Sequence, residues 1–460
     1  MEKNNPDLLI VNALVVNEGT EHIGYVAVEG RMIAATGAGA PPADLAAGAR
    51  RVIDARGGML MPGVIDTHVH FRDPGLTQKA DFASESKAAV EGGVTSVIDM
   101  PNTNPATVTL DAFEQKMEMA SEKSHCNYGF FIGATNTNIE ELRRADYSRV
   151  AGVKLFLGSS TGNMLVDRRE MLDSLFSSVP QALIAVHAES ESEVAANRRA
   201  FSERYADRGT VPLECHPLIR SRKACVDAAR LAIDMAVTHR HPLHLLHIST
   251  ADELDLLTDE ARRYVTAETA PHYLFFDDAD YARLGTRVKC NPAIKCASDR
   301  RALIEAVADG RIDTIATDHA PHLPADKEGD ALTAASGMPG IRFSLQVMLE
   351  IARREQIPAS RIVEFMCHAP ARTLRIDRRG FIRPGYYADL TLVDNCLDSP
   401  VVVSDADAGG KCGWTPYAGS ELHSRVLLTL VNGSTAFAAP SLAAEAAPVS
   451  VDAMPLRYLA

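Results

Sequence analysis

The chain has 460 residues, of which 46% are hydrophobic and 23% charged, so it is long enough for one large soluble domain with a smaller companion. A formal net charge of −13 argues against nucleic acid or an anionic membrane surface as a partner, and no apolar run approaches the roughly 20 residues of a membrane span. Eight scattered cysteines without a Cys-x-x-Cys pair, and an N-terminus lacking a signal peptide's order of regions, predict a reduced cytoplasmic protein with neither zinc ribbon nor disulfide framework.

Residues 1–54 read as short strands separated by Gly and Asn breaks: "DLLIVNALVV", "YVAVEGRMIAATG" and "RVIDARGG". The same texture returns in "ADLTLVD" (388–394) and "SRVLLTLVNG" (424–433). The two chain ends, 1–54 and 386–440, are therefore expected to form one small β-sandwich domain. The tail 441–460, after Pro440, is Ala/Pro/Ser-rich and is expected to be loosely held.

Residues 55–385 have another rhythm. Apolar runs at 63–70, 95–101, 128–134, 152–157, 182–187, 242–247, 264–269 and 313–318 alternate with helical stretches such as "RKACVDAARLAIDMAVTH". Eight such βα repeats predict an α/β fold, a (β/α)8 TIM-type barrel. His70, His187, His247 and Asp318 close their runs, His68 stands two residues from the end of the first, and Lys154 lies near the end of the fourth. Barrel chemistry sits at that face.

In "DTHVHFRDPG" (66–75), strand alternation turns His68, His70 and Arg72 to one side. Two imidazoles and a guanidinium make a poor apolar surface, but a good metal site with an anion clamp beside it. His187 and His247, each unremarkable alone, together supply what a second metal needs. His244, three residues before His247, should face the outer helices by the same alternation. An isolated Asp318 could cap a helix; beside these histidines it reads as a metal ligand and proton shuttle. His322, in the loop after it, reads as a substrate contact. Lys154 sits in an apolar strand, where an ammonium is costly. It either snorkels to the rim or, neutral, reacts with CO₂ to give a carbamate that bridges two cations.

The set "DTHVHFRDPG", "DMPNTNP", "GVKLFLGSSTGN", "VHAES", "LHIST", "CNPAIK" and "ATDHAPH" resembles the amidohydrolase superfamily and, within it, the dihydroorotases, over roughly residues 55–395. The resemblance implies two zinc ions or other divalent metals. His68, His70 and Asp318 would hold one, His187 and His247 the other, with carbamylated Lys154 bridging and a hydroxide between them. Arg72 and Asn102 would meet a substrate carboxylate, and Asn291 and His322 would make further substrate contacts. Reversible opening of dihydroorotate to N-carbamoyl-aspartate follows, with Asp318 shuttling the proton. "GSSTGN" (158–163) falls where such enzymes carry a mobile loop. "SGMPGIRFSL" (336–345) departs from the expected Leu-Glu-Thr, so no contacts carry over from it.

An allantoinase or a hydantoinase/dihydropyrimidinase-type enzyme is the alternative; such relatives are not expected to keep an arginine at position 72. A non-catalytic scaffold is a further alternative, and such homologues lose metal ligands, whereas all six are present here. The expected partner is a small-molecule substrate, and a homo-oligomer stays open.

Overall fold

The computed structural model describes residues 5–158, 164–179 and 182–459. One mixed sheet of eight strands draws on both chain ends. Ser434–Ala438, Ser424–Val431, Leu390–Asn395, Met59–Pro62, Leu8–Asn17, Thr20–Glu29 and Met32–Ala38 lie side by side in that order, and Val52–Asp54 adds to Leu8–Asn17. Two of its hairpins turn on Glu18-Gly19 and Asn432-Gly433, with φ of 51°, 74°, 50° and 76°. Two successive left-handed residues are what a two-residue turn between right-twisted strands requires. Leu8, Ile10, Val26, Val28, Leu390, Leu428 and Leu430 pack together on this sheet as a core of their own.

All eight apolar runs of the middle region contain strands, and every pairing among them is parallel. They are Val64–Val69, Val94–Asp99, Asn127–Phe130 continued by Ile132–Gly133, Val153–Phe156, Ile184–His187, Leu243–Leu245, Val265–Thr269 and Thr314–Ile315. Val64–Val69 and Val94–Asp99 are buried at every position, as strands covered on both faces must be. The first strand also meets the segment after the eighth, through a parallel bridge between Val69 and His319.

Helices between the strands start at side-chain caps that the sequence carries. Asp81 and Ser84 form a capping box at Phe82–Glu91, Thr250 and Glu253 another at Ala251–Leu254, and Ser221 caps Arg222–His239. No helix among the described residues is long and apolar enough to cross a membrane.

The end of the chain differs from the loose tail expected of it. Leu456 and Tyr458 are buried, Tyr128 N donates to Met454 O at 3.1 Å, and Leu456 N donates to Tyr128 O at 2.8 Å. Composition averages over the tail, but Leu456 and Tyr458 alternate onto one face, and Gly129 leaves the room that the Tyr458 hydroxyl takes: a Cβ on Gly129 would lie 2.1 Å from it. Leu456→Ala is expected to destabilise the protein by about 2–4 kcal/mol, visible as a lower Tm; an unchanged Tm would show that the segment adds nothing to the fold.

Candidate active site

His68, His70, Arg72, Asn102, Lys154, His187, His247, Asn291, Asp318 and His322 all line one cavity of about 400 Å³. His68, Lys154 and His187 stand within strands and His70 directly after one, whereas Asn102, Asn291 and His322 lie on loops. Arg72, His247 and Asp318 stand just past their strands with φ of 66°, 42° and 47°. Left-handed backbone is strained for such residues, and strain of this kind gathers where a side chain must be aimed.

That turn overrides simple alternation. The sixth strand ends at Leu245, so the left-handed His247 reaches the cavity although His244 also points inward. His244 does not face the outer helices: its Nδ1 lies 2.7 Å from Thr266 Oγ1 and its Nε2 3.5 Å from Glu268 Oε2, both on the neighbouring strand. Arg72 likewise lies beyond the strand whose alternation suggested it.

Ligand atoms of His68, His70 and Asp318 lie within 4.8 Å of one another. The protons on the two imidazoles follow from their other bonds. His68 Nδ1 is 2.8 Å from Glu268 Oε1, and His70 Nδ1 is 2.7 Å from Asn102 Oδ1. Both acceptors require Nδ1 to carry the hydrogen, which leaves the Nε2 lone pairs facing Asp318 Oδ1 at 3.3 and 3.0 Å. Three electron-rich atoms converge with no proton between them, an arrangement that a cation satisfies. Burial drives the His70 imidazole down to about 3, so it is neutral as a ligand must be. Burial alone would raise the Asp318 carboxyl, but His68, His70 and His247 around it bring it well below the usual carboxylate range.

His187 and His247 form the adjoining group. His187 Nε2 lies 3.2 Å from Glu189 Oε2, and its Nδ1 lies 2.8 Å from His247 Nε2. The His68 and His247 rings are 5.4 Å apart, so the two groups share one floor. Lys154 is 1% exposed, with its Nζ 4.8 Å from the Phe156 ring, and burial pulls its ammonium down to about 7.

The sequence reading missed Glu268, the carboxylate that orients His68, and Glu189, which lies beside His187. Glu268 had a signal: a carboxylate inside the apolar run 264–269 needs a buried partner. Residues 159–163, which carry most of the anticipated mobile loop, lie outside the described residues. In the late loop Ser336 and Gly337 line the cavity, while Arg342 turns away to Glu91 at 3.3 Å.

Arg72, in the same cavity as the metal donors, is 6% exposed. Its Nε donates to Pro321 O at 3.2 Å, and its Nη2 lies 3.2 Å from His322 Nε2. Lys79 Nζ, 3.1 Å from His322 Nδ1, can only donate, so Nδ1 is the acceptor and Nε2–H serves Ser336 O at 3.1 Å. Arg72 Nη2 therefore meets a hydrogen at His322, not a lone pair. Burial and the cations Arg72, Lys79 and Lys327 hold the His322 imidazole down at about 2.

The family model for the amidohydrolase family matches residues 59–435, and the chain belongs to that family. It is a metal-dependent cyclic amidohydrolase. Among relatives, a dihydroorotase of Halobacterium salinarum is 35% identical over 82% of this chain and 86% of its own length. An allantoinase of Rubrobacter xylanophilus is 32% identical over 94% of each chain. Among solved structures, the L-hydantoinase (dihydropyrimidinase) of Arthrobacter aurescens superposes with a TM-score of 0.87 at 26% identity, covering 94% of this chain and 96% of that one.

Proposed function

We propose that the protein is a dihydroorotase, which reversibly hydrolyses the cyclic amide of dihydroorotate to N-carbamoyl-aspartate. Arg72 carries this reading. A guanidinium is buried in the same cavity as the metal donors, and its contacts among the described residues, Pro321 O and His322, include no anion. A buried cation of that kind is completed by an anionic substrate, and a guanidinium fits a carboxylate with paired hydrogen bonds. The Halobacterium dihydroorotase and others of the same name from Methanosarcina support the assignment.

Two divalent metals, zinc or a similar ion, would be held by His68, His70 and Asp318 on one side and His187 and His247 on the other, with Lys154, as its carbamate, a ligand they would share. Bound metal polarises the scissile carbonyl and lowers the pKa of water toward ~7, supplying a nucleophile at neutral pH. Arg72 and Asn102 hold the substrate carboxylate, with Asn291 and His322 beside them. Asp318 takes the proton released as water adds and gives it to the ring nitrogen as the C–N bond breaks. Without that proton the leaving group is an amide anion, too basic to depart. Burial of Lys154 favours the neutral amine that adds to CO₂, losing one proton to give the carbamate. The eight parallel strands are taken to close as a barrel over 55–385, which the Val69–His319 bridge supports, with the mixed sheet as a small companion domain.

The second reading is an allantoinase or hydantoinase, favoured by the allantoinase relative's coverage of 94% of this chain. A panel of dihydroorotate, allantoin and hydantoins on metal-replete protein separates the two. Dihydroorotate is expected to have the highest kcat/KM; a preference for allantoin or a hydantoin transfers the assignment to that substrate.

A further inference from the structure

Lys327 lies outside the metal site and closes the 3₁₀ turn Pro324–Lys327, yet it is 5% exposed. Its Nζ donates to three main-chain carbonyls: Lys289 O at 3.0 Å, Ala335 O at 2.8 Å and Gly337 O at 2.8 Å. An ammonium has three N–H donors, so all of them are spent on backbone. Its Nζ also lies 5.7 Å from the ring centroid of Trp414, whose Nε1 donates to His322 O at 2.8 Å.

The three carbonyls belong to two separate segments that both line the cavity. One holds Lys289 and Asn291; the other holds Ala335, Ser336 and Gly337. The segments also bond directly, Gly337 N donating to Lys289 O at 2.9 Å. The second segment bears on His322 from two sides. Ser336 O accepts from His322 Nε2, and at Gly337, with φ of 133°, an added Cβ would lie 3.1 Å from His322 Cδ2 and 2.6 Å from Ala320 O. Only a glycine allows the main chain so close.

We propose that Lys327 is a positioning residue: it ties the Lys289–Asn291 segment to the Ala335–Gly337 segment and so sets where Asn291 and His322 stand against the substrate. A lysine serves here because a tripod of carbonyls from two segments needs three N–H groups diverging from one atom. A residue acting on the wall remote from the reacting carbonyl contributes to ground-state and transition-state binding alike, so its loss appears in KM and not in kcat.

The inference rests on the proposed contacts of Asn291 and His322 but not on which ring the enzyme opens. The test therefore uses whichever cyclic amide the wild-type holoenzyme turns over best. Lys327→Met, which has no donor, is expected to raise KM about 10–100-fold, the scale of a small misplacement in a site, with kcat within about threefold and metal content unchanged. Lys327→Gln, which keeps two N–H groups, should fall between Met and wild type. Gly337→Ala moves the same wall from its other side and should show the same split, and it carries the test with Lys327→Gln if Lys327→Met does not fold. A KM within twofold of wild type in the folded Lys327 variants overturns the proposal, as does a fall in kcat at constant KM. A wild type that prefers allantoin or hydantoin overturns the dihydroorotase reading alone.

Discussion

Asp318→Ala is expected to lower kcat at least about 10³-fold, since acid–base catalysis alone contributes about 10²–10⁴ and this carboxylate has a second task. Its Oδ1 stands 3.0 and 3.3 Å from the two Nε2 atoms of His70 and His68. Removing it withdraws the anion that balances a cation between those imidazoles and the base that carries the proton to the ring nitrogen. Metal content and turnover, measured on the same preparation, separate the two losses. Asp318→Asn keeps an oxygen donor but accepts no proton near neutrality, so it should retain more metal than the alanine variant while losing kcat to a similar extent. A near-normal rate in either variant would remove Asp318 from the proton path.

The second large effect belongs to Arg72. Arg72→Met is expected to reduce kcat/KM for dihydroorotate about 10²–10³-fold, because losing one partner of a buried charged hydrogen-bonded pair costs about 2–5 kcal/mol. Arg72 makes no contact with His68 or Asp318 in the bonds described, so metal content should be unchanged. Arg72→Lys should recover only part of the loss, since a point charge replaces a planar fork. Whatever rate the enzyme shows on a hydantoin without the carboxylate should be little altered by either variant. Undiminished turnover of dihydroorotate by Arg72→Met would exclude the clamp.

The apolar runs of the middle region were legible because strands covered on both faces favour apolar residues at successive positions, as in "ALIAV" (182–186), even where polar residues break into them, as in "VIDTHV" and "VTSVID". The histidines and Asp318 were legible because they break those runs at one end. The direction of individual side chains was less so. Alternation fails once a strand stops, and it stops before Arg72, His247 and Asp318. His244 is the resulting error, an inward histidine expected to face outward.

Glu268 was hard to place for a different reason: it matters through a partner far away in the chain. Glu268 is 200 residues from His68, and nothing local in "VTAET" tells that the carboxylate will reach it. The buried tail was hidden by composition, since Leu456 and Tyr458 are two residues among many small and polar ones.

Trp414 is the only tryptophan in the chain. Its indole N–H is bonded to the carbonyl of His322, and Arg287 and Lys327 stand 5.1 and 5.7 Å from its ring. Excited at wavelengths too long for its 11 tyrosines to absorb, the protein thus emits from a single fluorophore at the back of the His322 loop, with two cations in its electric field. Any ligand that shifts that loop writes its arrival into the colour of one indole, so occupancy can be followed by light without a label.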